Sequence, residues 1–175
     1  MALLERVTTD SIENEKVKLF LTSFEESVGS IPTTVQLAAN SEGLFEQLIG
    51  QISYYSSHQK LSPELLGFIR YIAAREFENA ACITFNGDLL LRMGVTEEEL
   101  ESSLTAPAQA PLKAEEQALL AFVVEGLRDQ GSASVEKMES LRTLGWRDSD
   151  IYDAVNHGFF IFGPGKMMEL FQMMK

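Results

Sequence analysis

The sequence predicts an all-α protein. Apolar residues recur at three- and four-residue spacing along most of the chain. Most of these stretches open on a Ser, Thr, Asp or Asn and close on a Gly or Pro. No stretch alternates apolar and polar residues with turn dipeptides between, so no sheet is expected.

In chain order, a first helix is expected from a cap at Asp10 or Ser11, with Ile12, Phe20, Phe24 and Val28 on one face, ended by Gly29 and Pro32. Asn40 or Ser41 caps the next, whose stripe is Leu44, Leu48, Ile52 and Tyr55. Ser62-Pro63 is a strong start signal, because Pro at the first helical position loses no bond. The helix it opens carries Leu65, Leu66, Phe68, Ile69, Tyr71 and Ile72, and so should be buried on more than one side. A helix from about Asn79 runs to Met93 and stops at Gly94, with Gly87 expected to allow close helix–helix approach. Thr96 and Glu99 form a capping box for a short acidic helix ending near Leu104. TAPAQAPL is the longest linker-like segment, and a long helix follows from about Leu112 to Asp129. Ser134 opens another, with Val135, Met138, Leu141 and Leu144 in a narrow stripe. Asp148 caps the next, with Ile151, Ala154, Val155 and Phe159 inward. Gly163-Pro164-Gly165 is expected to break it before a final helix bearing Met167, Met168, Met173 and Met174, read as core or interface filler.

The chain has 175 residues and a net charge of -12, from 14 Lys and Arg against 26 Asp and Glu. That length suits one domain. That charge repels phosphate backbones and anionic membrane surfaces, so neither nucleic acid nor membrane is an expected partner. No apolar run is long enough to span a bilayer. The opening MALLERVTTDSIENEK lacks a basic leader with a long apolar stretch, so a cytoplasmic protein is expected. The single cysteine, Cys82, excludes an internal disulfide. No HxxxH, CxxC, DxDxDG, GxGxxG or P-loop pattern occurs, so no metal and no cofactor is expected.

The stretch LSPELLGFIRYIAAREFENAACITFNGDLLLRMG, from Leu61 to Gly94, resembles the carboxymuconolactone decarboxylase / AhpD-like (alkylhydroperoxidase) family. The shared features are the Leu61-Ser62 opening, Cys82 and the acidic VTEEEL after Gly94. Upstream IPTTVQLAANSEGLFEQL is similar to the family's lead-in segment. Downstream EEQALLAFVVEGL and VEKMESLRTLGWRDSDIYDAVNHGFFIF are similar to its second half. The resemblance covers most of the chain from about Pro32. It implies one AhpD-like domain over residues 1–175, with residues 1–31 as an N-terminal helical extension. It also implies a helical bundle that assembles as a homo-oligomer, a trimer or a hexamer.

The family's chemistry rests on a Glu followed by Cys-x-x-Cys-x-x-x-His. Counting back from Gly94, the resemblance places its second Cys on Cys82, its His on Asn86, its first Cys on Asn79 and its Glu on Gly67; the Tyr often found between the cysteines falls on Ala81. A two-thiol peroxidase needs a resolving thiol and a proton relay. Asn79 cannot close a disulfide, and Asn86 is no base at neutral pH, so the ordinary cycle should be absent.

Three readings stay open. Cys82 near a helix start favours a thiolate, so a one-thiol cycle with an external resolver is conceivable. Glu76 and Glu78 would oppose the thiolate and Arg75 would offset them. A decarboxylase-type lyase would draw on Glu76, Glu78, His157, Arg70 or Arg75, which the spacing does not bring together. A catalytically silent oligomer or small-molecule binder would need none of these, with Cys82 a buried hydrophobe and His157 a half-buried, backbone-bonded histidine. His58 lies in no ligand-type motif.

Overall fold

The structure, a computed structural model, describes residues 2–4, 7, 11–29 and 31–173. Asp10 and Met174 therefore lie outside the described residues. The main elements among the described residues are ten α-helices, with a 3₁₀ turn at Pro107–Gln109. They are α1 Glu15–Val28, α2 Thr33–Ala38, α3 Glu42–Ser56, α4 Pro63–Glu76, α5 Ala80–Arg92, α6 Glu97–Thr105, α7 Ala114–Arg128, α8 Val135–Thr143, α9 Asp148–Phe159 and α10 Phe162–Leu170. None is long and apolar enough to cross a membrane.

The chain divides into two compact units: Met1–Ser57 with Pro164–Lys175, and His58–Gly163. In the first, Ile12, Val17, Leu21, Val35, Ala39 and Phe45 form the core, with the rings of Phe20 and Phe45 edge to face at 5.9 Å. Several expectations shift here. The cap of α1 is Asn14, whose side chain accepts from the N–H groups of Lys16 and Val17, so Val17 and Leu21 turn inward. Pro32 opens the short helix α2, which periodicity did not announce. In α3 the buried face is Phe45 and Tyr55, while Leu44 is exposed: Phe45 removes more apolar area from water, and it sets the rotation. Met168 and Met173 are buried, as filler residues would be, and Met167 is not.

The second unit is built around α4. Leu65, Leu66, Gly67, Phe68, Ile69, Tyr71, Ile72, Ala73 and Ala74 are all buried, and α5, α6, α7 and α9 pack against them. Each fully buried Leu, Ile or Phe there contributes about 1.5–3 kcal/mol, so α4 carries much of this unit's stability. The Ser62 hydroxyl caps α4 through the Leu65 N–H, and Thr96 with Glu99 boxes α6, as the residue types dictate. Two glycines allow close packing. A Cβ on Gly67 would lie 2.8 Å from Leu90 Cδ2, and one on Gly158 would lie 3.3 Å from Val123 and 3.4 Å from Ile69 and Leu127. At Gly87 a Cβ would reach only ordinary contact with Tyr71, 3.5 Å, so the close approach expected there falls on Gly67 instead.

The stripe expected on α8 reduces to Leu141, since Val135 and Leu144 are exposed. Arg147 rather than Asp148 is the N-cap of α9, because the buried carboxylate of Asp150 accepts from the Arg147 N–H and guanidinium. Phe159 is exposed, and the inward positions are taken by His157 and Gly158. The break after α9 falls at Phe160 and Ile161; Gly163, Pro164 and Gly165 lie inside α10, where the first turn has no N–H partner for Pro164 to lose.

Candidate functional site

The site grows out of the junction between α4 and α5. Helix α4 ends with Glu78 in the left-handed conformation (φ 54°), its N–H donating to the Arg75 carbonyl, while the Asn79 N–H reaches back to the Ala74 carbonyl at 2.9 Å. That pair of bonds is the Schellman closure of a helix end. Asn79 is thus the last anchored residue of α4 and the N-cap of α5, its Oδ1 accepting from the Cys82 N–H at 3.2 Å. Cys82 therefore sits in the first turn of α5, 8 % exposed, where the unpaired N–H groups of the helix end favour negative charge.

One turn on, Asn86 is buried and fully engaged: its Nδ2 donates to the Cys82 carbonyl at 2.8 Å and its Oδ1 accepts from Arg70 Nε at 2.7 Å. Arg70 projects from α4. Its Nη1 lies 2.9 Å from Nε2 of His157 on α9. A guanidinium has only donors, so His157 Nε2 is the acceptor and Nδ1 carries the proton. The Leu66 carbonyl takes a bond from the same ring, which suits that tautomer. Burial first, then the positive charge of Arg70, pushes the imidazole well below its ordinary 6.5, so it is neutral. Gly158, packed tight against Ile69 and Val123, sets the depth at which His157 enters.

Arg70 is the unusual member. Among the described residues it belongs to no ion pair with a carboxylate. Burial brings its guanidinium down to about 10, and the charge of the nearby Cys82 sulfur works the other way. A half-buried cation without a counter-charge is costly, and the nearby group able to supply that charge is the Cys82 thiol.

The remaining sequence candidates are elsewhere. Glu76 pairs with Arg128 at 2.6 Å, a guanidinium that also donates to the Leu104 carbonyl. Arg75 is held by Glu101 at 3.2 Å and Glu78 points to solvent, so neither the offset expected of Arg75 nor the opposition expected of these two glutamates acts through a contact with Cys82. His58 holds a turn, with Nδ1 accepting from the Lys60 and Leu61 N–H groups and Nε2 3.3 Å from Asp153. Gly67, packed on Leu90, has no room for the Glu that the resemblance places there. Ala81 lies half-buried in the first turn of α5. No group of three or more His, Cys, Asp or Glu side chains arranged for a metal occurs among the described residues. The chain of bonds that runs from the Cys82 carbonyl through Asn86 and Arg70 to His157 was not readable from spacing. Its one sequence signal is a lone charge inside the apolar run LLGFIRYIAA.

Neither a protein-family profile nor a curated protein matches the sequence. The fold does match solved structures. A peroxidase-related protein from Silicibacter sp. TM1040, itself uncharacterised, superposes with TM-score 0.79 at 16% identity, over 98% of this chain and 90% of that one. A second, from Ralstonia eutropha JMP134 and described as an alkylhydroperoxidase AhpD core, gives TM-score 0.80 at 14% identity, over 98% and 90%. The fold is therefore the AhpD-like all-α fold that the sequence resemblance implied.

Proposed function

We propose that this chain reduces small hydroperoxides through the single thiol of Cys82, with Arg70 as the activating charge and an external low-mass thiol closing the cycle. The carrying observation is the half-buried Arg70 guanidinium, bonded to Asn86 and His157, without a carboxylate in ion-pair reach among the described residues, and near enough to Cys82 for the charge on the sulfur to act on it. The two fold neighbours are described as peroxidase-related, which agrees with this class of chemistry.

The thiolate attacks the terminal oxygen of ROOH. The S–O bond forms as the O–O bond breaks, and the departing RO⁻ takes a proton from water to leave as ROH. Sulfur loses two electrons and the peroxide gains them. An external thiol then displaces water from the sulfenic acid to give a mixed disulfide, and a second external thiol releases Cys82 with formation of the external disulfide. Arg70 favours the thiolate and faces the charge that develops on oxygen. Asn86 and His157 hold the guanidinium in place. Neither relays protons, since both acceptors are occupied by Arg70.

That same saturation favours a second reading, a ligand-binding homologue with no turnover. The lyase reading has less support, because its base would have to be His157, whose lone pair Arg70 already holds. The assembly implied by the resemblance, a trimer or hexamer, belongs to the proposal and is tested by light scattering. The decisive experiment measures hydrogen peroxide loss with added dithiothreitol for the wild type and Cys82→Ser. A rate that depends on Cys82 supports the peroxidase; equal rates overturn it in favour of the silent homologue.

A further inference from the structure

Among the described residues one buried side-chain polar atom has no hydrogen-bond partner, and it belongs to this site: Nδ2 of Asn79, a residue 1 % exposed. The orientation of the amide is not in question, because Oδ1 must face the Cys82 N–H that it accepts. The NH₂ group is therefore left as a donor in the first turn of α5. A buried donor without an acceptor costs about 1–3 kcal/mol. The flanking backbone cannot swing away to relieve it, since the Asn79 N–H is bonded to Ala74 and its carbonyl to Ile83.

We infer that Asn79 Nδ2 is a donor reserved for the oxidised form of Cys82. The deepening rests on the peroxidase reading above. Oxidation adds one oxygen to the sulfur in the turn that Asn79 caps. A sulfenate oxygen is an acceptor for Nδ2, and it keeps beside Arg70 the negative charge that the thiolate supplied. The reduced site then holds one donor too many and the sulfenate satisfies it. With no second cysteine in the chain, the sulfenate has no internal resolver, so it has to persist until an external thiol arrives. A bond from Asn79 ties up the oxygen and slows attack by a second peroxide, which would give the irreversible sulfinic acid. Asn79, where the resemblance places a resolving cysteine, acts in this account as a positioning residue for the intermediate that such a cysteine would consume.

The test uses the full reduced chain and one equivalent of hydrogen peroxide, followed by intact mass and by dimedone adduct formation against time. Two variants remove the donor: Asn79→Asp, which keeps an oxygen to cap Cys82, and Asn79→Gly, which has no side-chain donor and is tolerated at an N-cap. The wild type should gain a single oxygen that remains trappable, whereas both variants at pH 7 should lose the trappable form about tenfold faster to sulfinic acid. As pH falls and the new carboxyl takes up a proton, Asn79→Asp regains a donor and its intermediate should lengthen in lifetime; Asn79→Gly has none to regain. Loss of packing alone would not produce that difference in pH profile. Equal lifetimes in the wild type and Asn79→Gly overturn this inference and leave the peroxidase standing. No sulfenate in the wild type, with no peroxide loss, overturns both.

Discussion

Arg70 Nη1 donates to His157 Nε2 at 2.9 Å, so a cation and an imidazole share one hydrogen bond inside the second unit. Two positive charges at that distance are unfavourable, and the pair is stable only while the imidazole is neutral. Burial and Arg70 both hold His157 well below 6.5. Below that pH the unfolded chain takes up a proton that the folded chain refuses. The stabilisation is fully present above 6.5 and is lost as pH falls toward the folded value, at up to about 1.4 kcal/mol per pH unit. Urea midpoints at pH 7 and pH 5 should differ by more in the wild type than in His157→Gln, which keeps an acceptor but cannot titrate. The same pH slope in both proteins would show that His157 contributes nothing to acid lability.

Arg70 makes a second prediction. Arg70→Met removes the charge and leaves the acceptors of Asn86 and His157 unmatched. Alkylation of Cys82 by iodoacetamide at pH 7 should slow about tenfold, as expected when an opposite charge is lost beside an ionisable group. Arg70→Lys should restore only part of the rate, because an ammonium cannot serve Asn86 and His157 through a fixed fork. Unchanged alkylation in Arg70→Met would disconnect the guanidinium from the sulfur.

The contact of Gly67 with Leu90 gives a third. Gly67→Ala forces a methyl to 2.8 Å from a side chain that is itself fully buried, and overpacking of this kind costs about 1–3 kcal/mol. The single tryptophan, Trp146, is buried in the same unit with its indole N–H on the Glu115 carbonyl, so its fluorescence reports the loss. Leu90→Val in the Gly67→Ala background should recover part of it. Gly67→Glu should destabilise more than Ala does. Strictly additive single changes would mean that the two residues do not press on each other.

Helix order and most caps were legible because local chemistry decides them: Ser62 before Pro63, Thr96 with Glu99, and Ser134 each act within one turn. Burial stripes were less legible. Leu44 and Val135 fit a helical period yet face water, since rotation follows the largest apolar groups available in three dimensions. The site was legible only in part. Cys82 and Asn79 are local to one helix start and were both singled out. Arg70 and His157 stood among five loose candidates, and their meeting depends on how α9 crosses α4 at Gly158, which no spacing encodes. Arg75, nearer to Cys82 in sequence, pairs with Glu101 on α6 instead.

The positive charge of Arg70 has a counterpart in the charge of the whole chain. The chain's net charge is -12. A molecule approaching from solution meets a repulsive field long before it meets Arg70, and that field extends about 8–10 Å at physiological salt. An uncharged hydroperoxide is indifferent to it, whereas an anionic thiol such as glutathione is slowed. The two half-reactions should then respond differently to ionic strength: added salt accelerates re-reduction by an anionic thiol and leaves oxidation by hydrogen peroxide almost unchanged. Surface charge would in this way act as a kinetic filter, selecting neutral encounters for a site that holds Arg70.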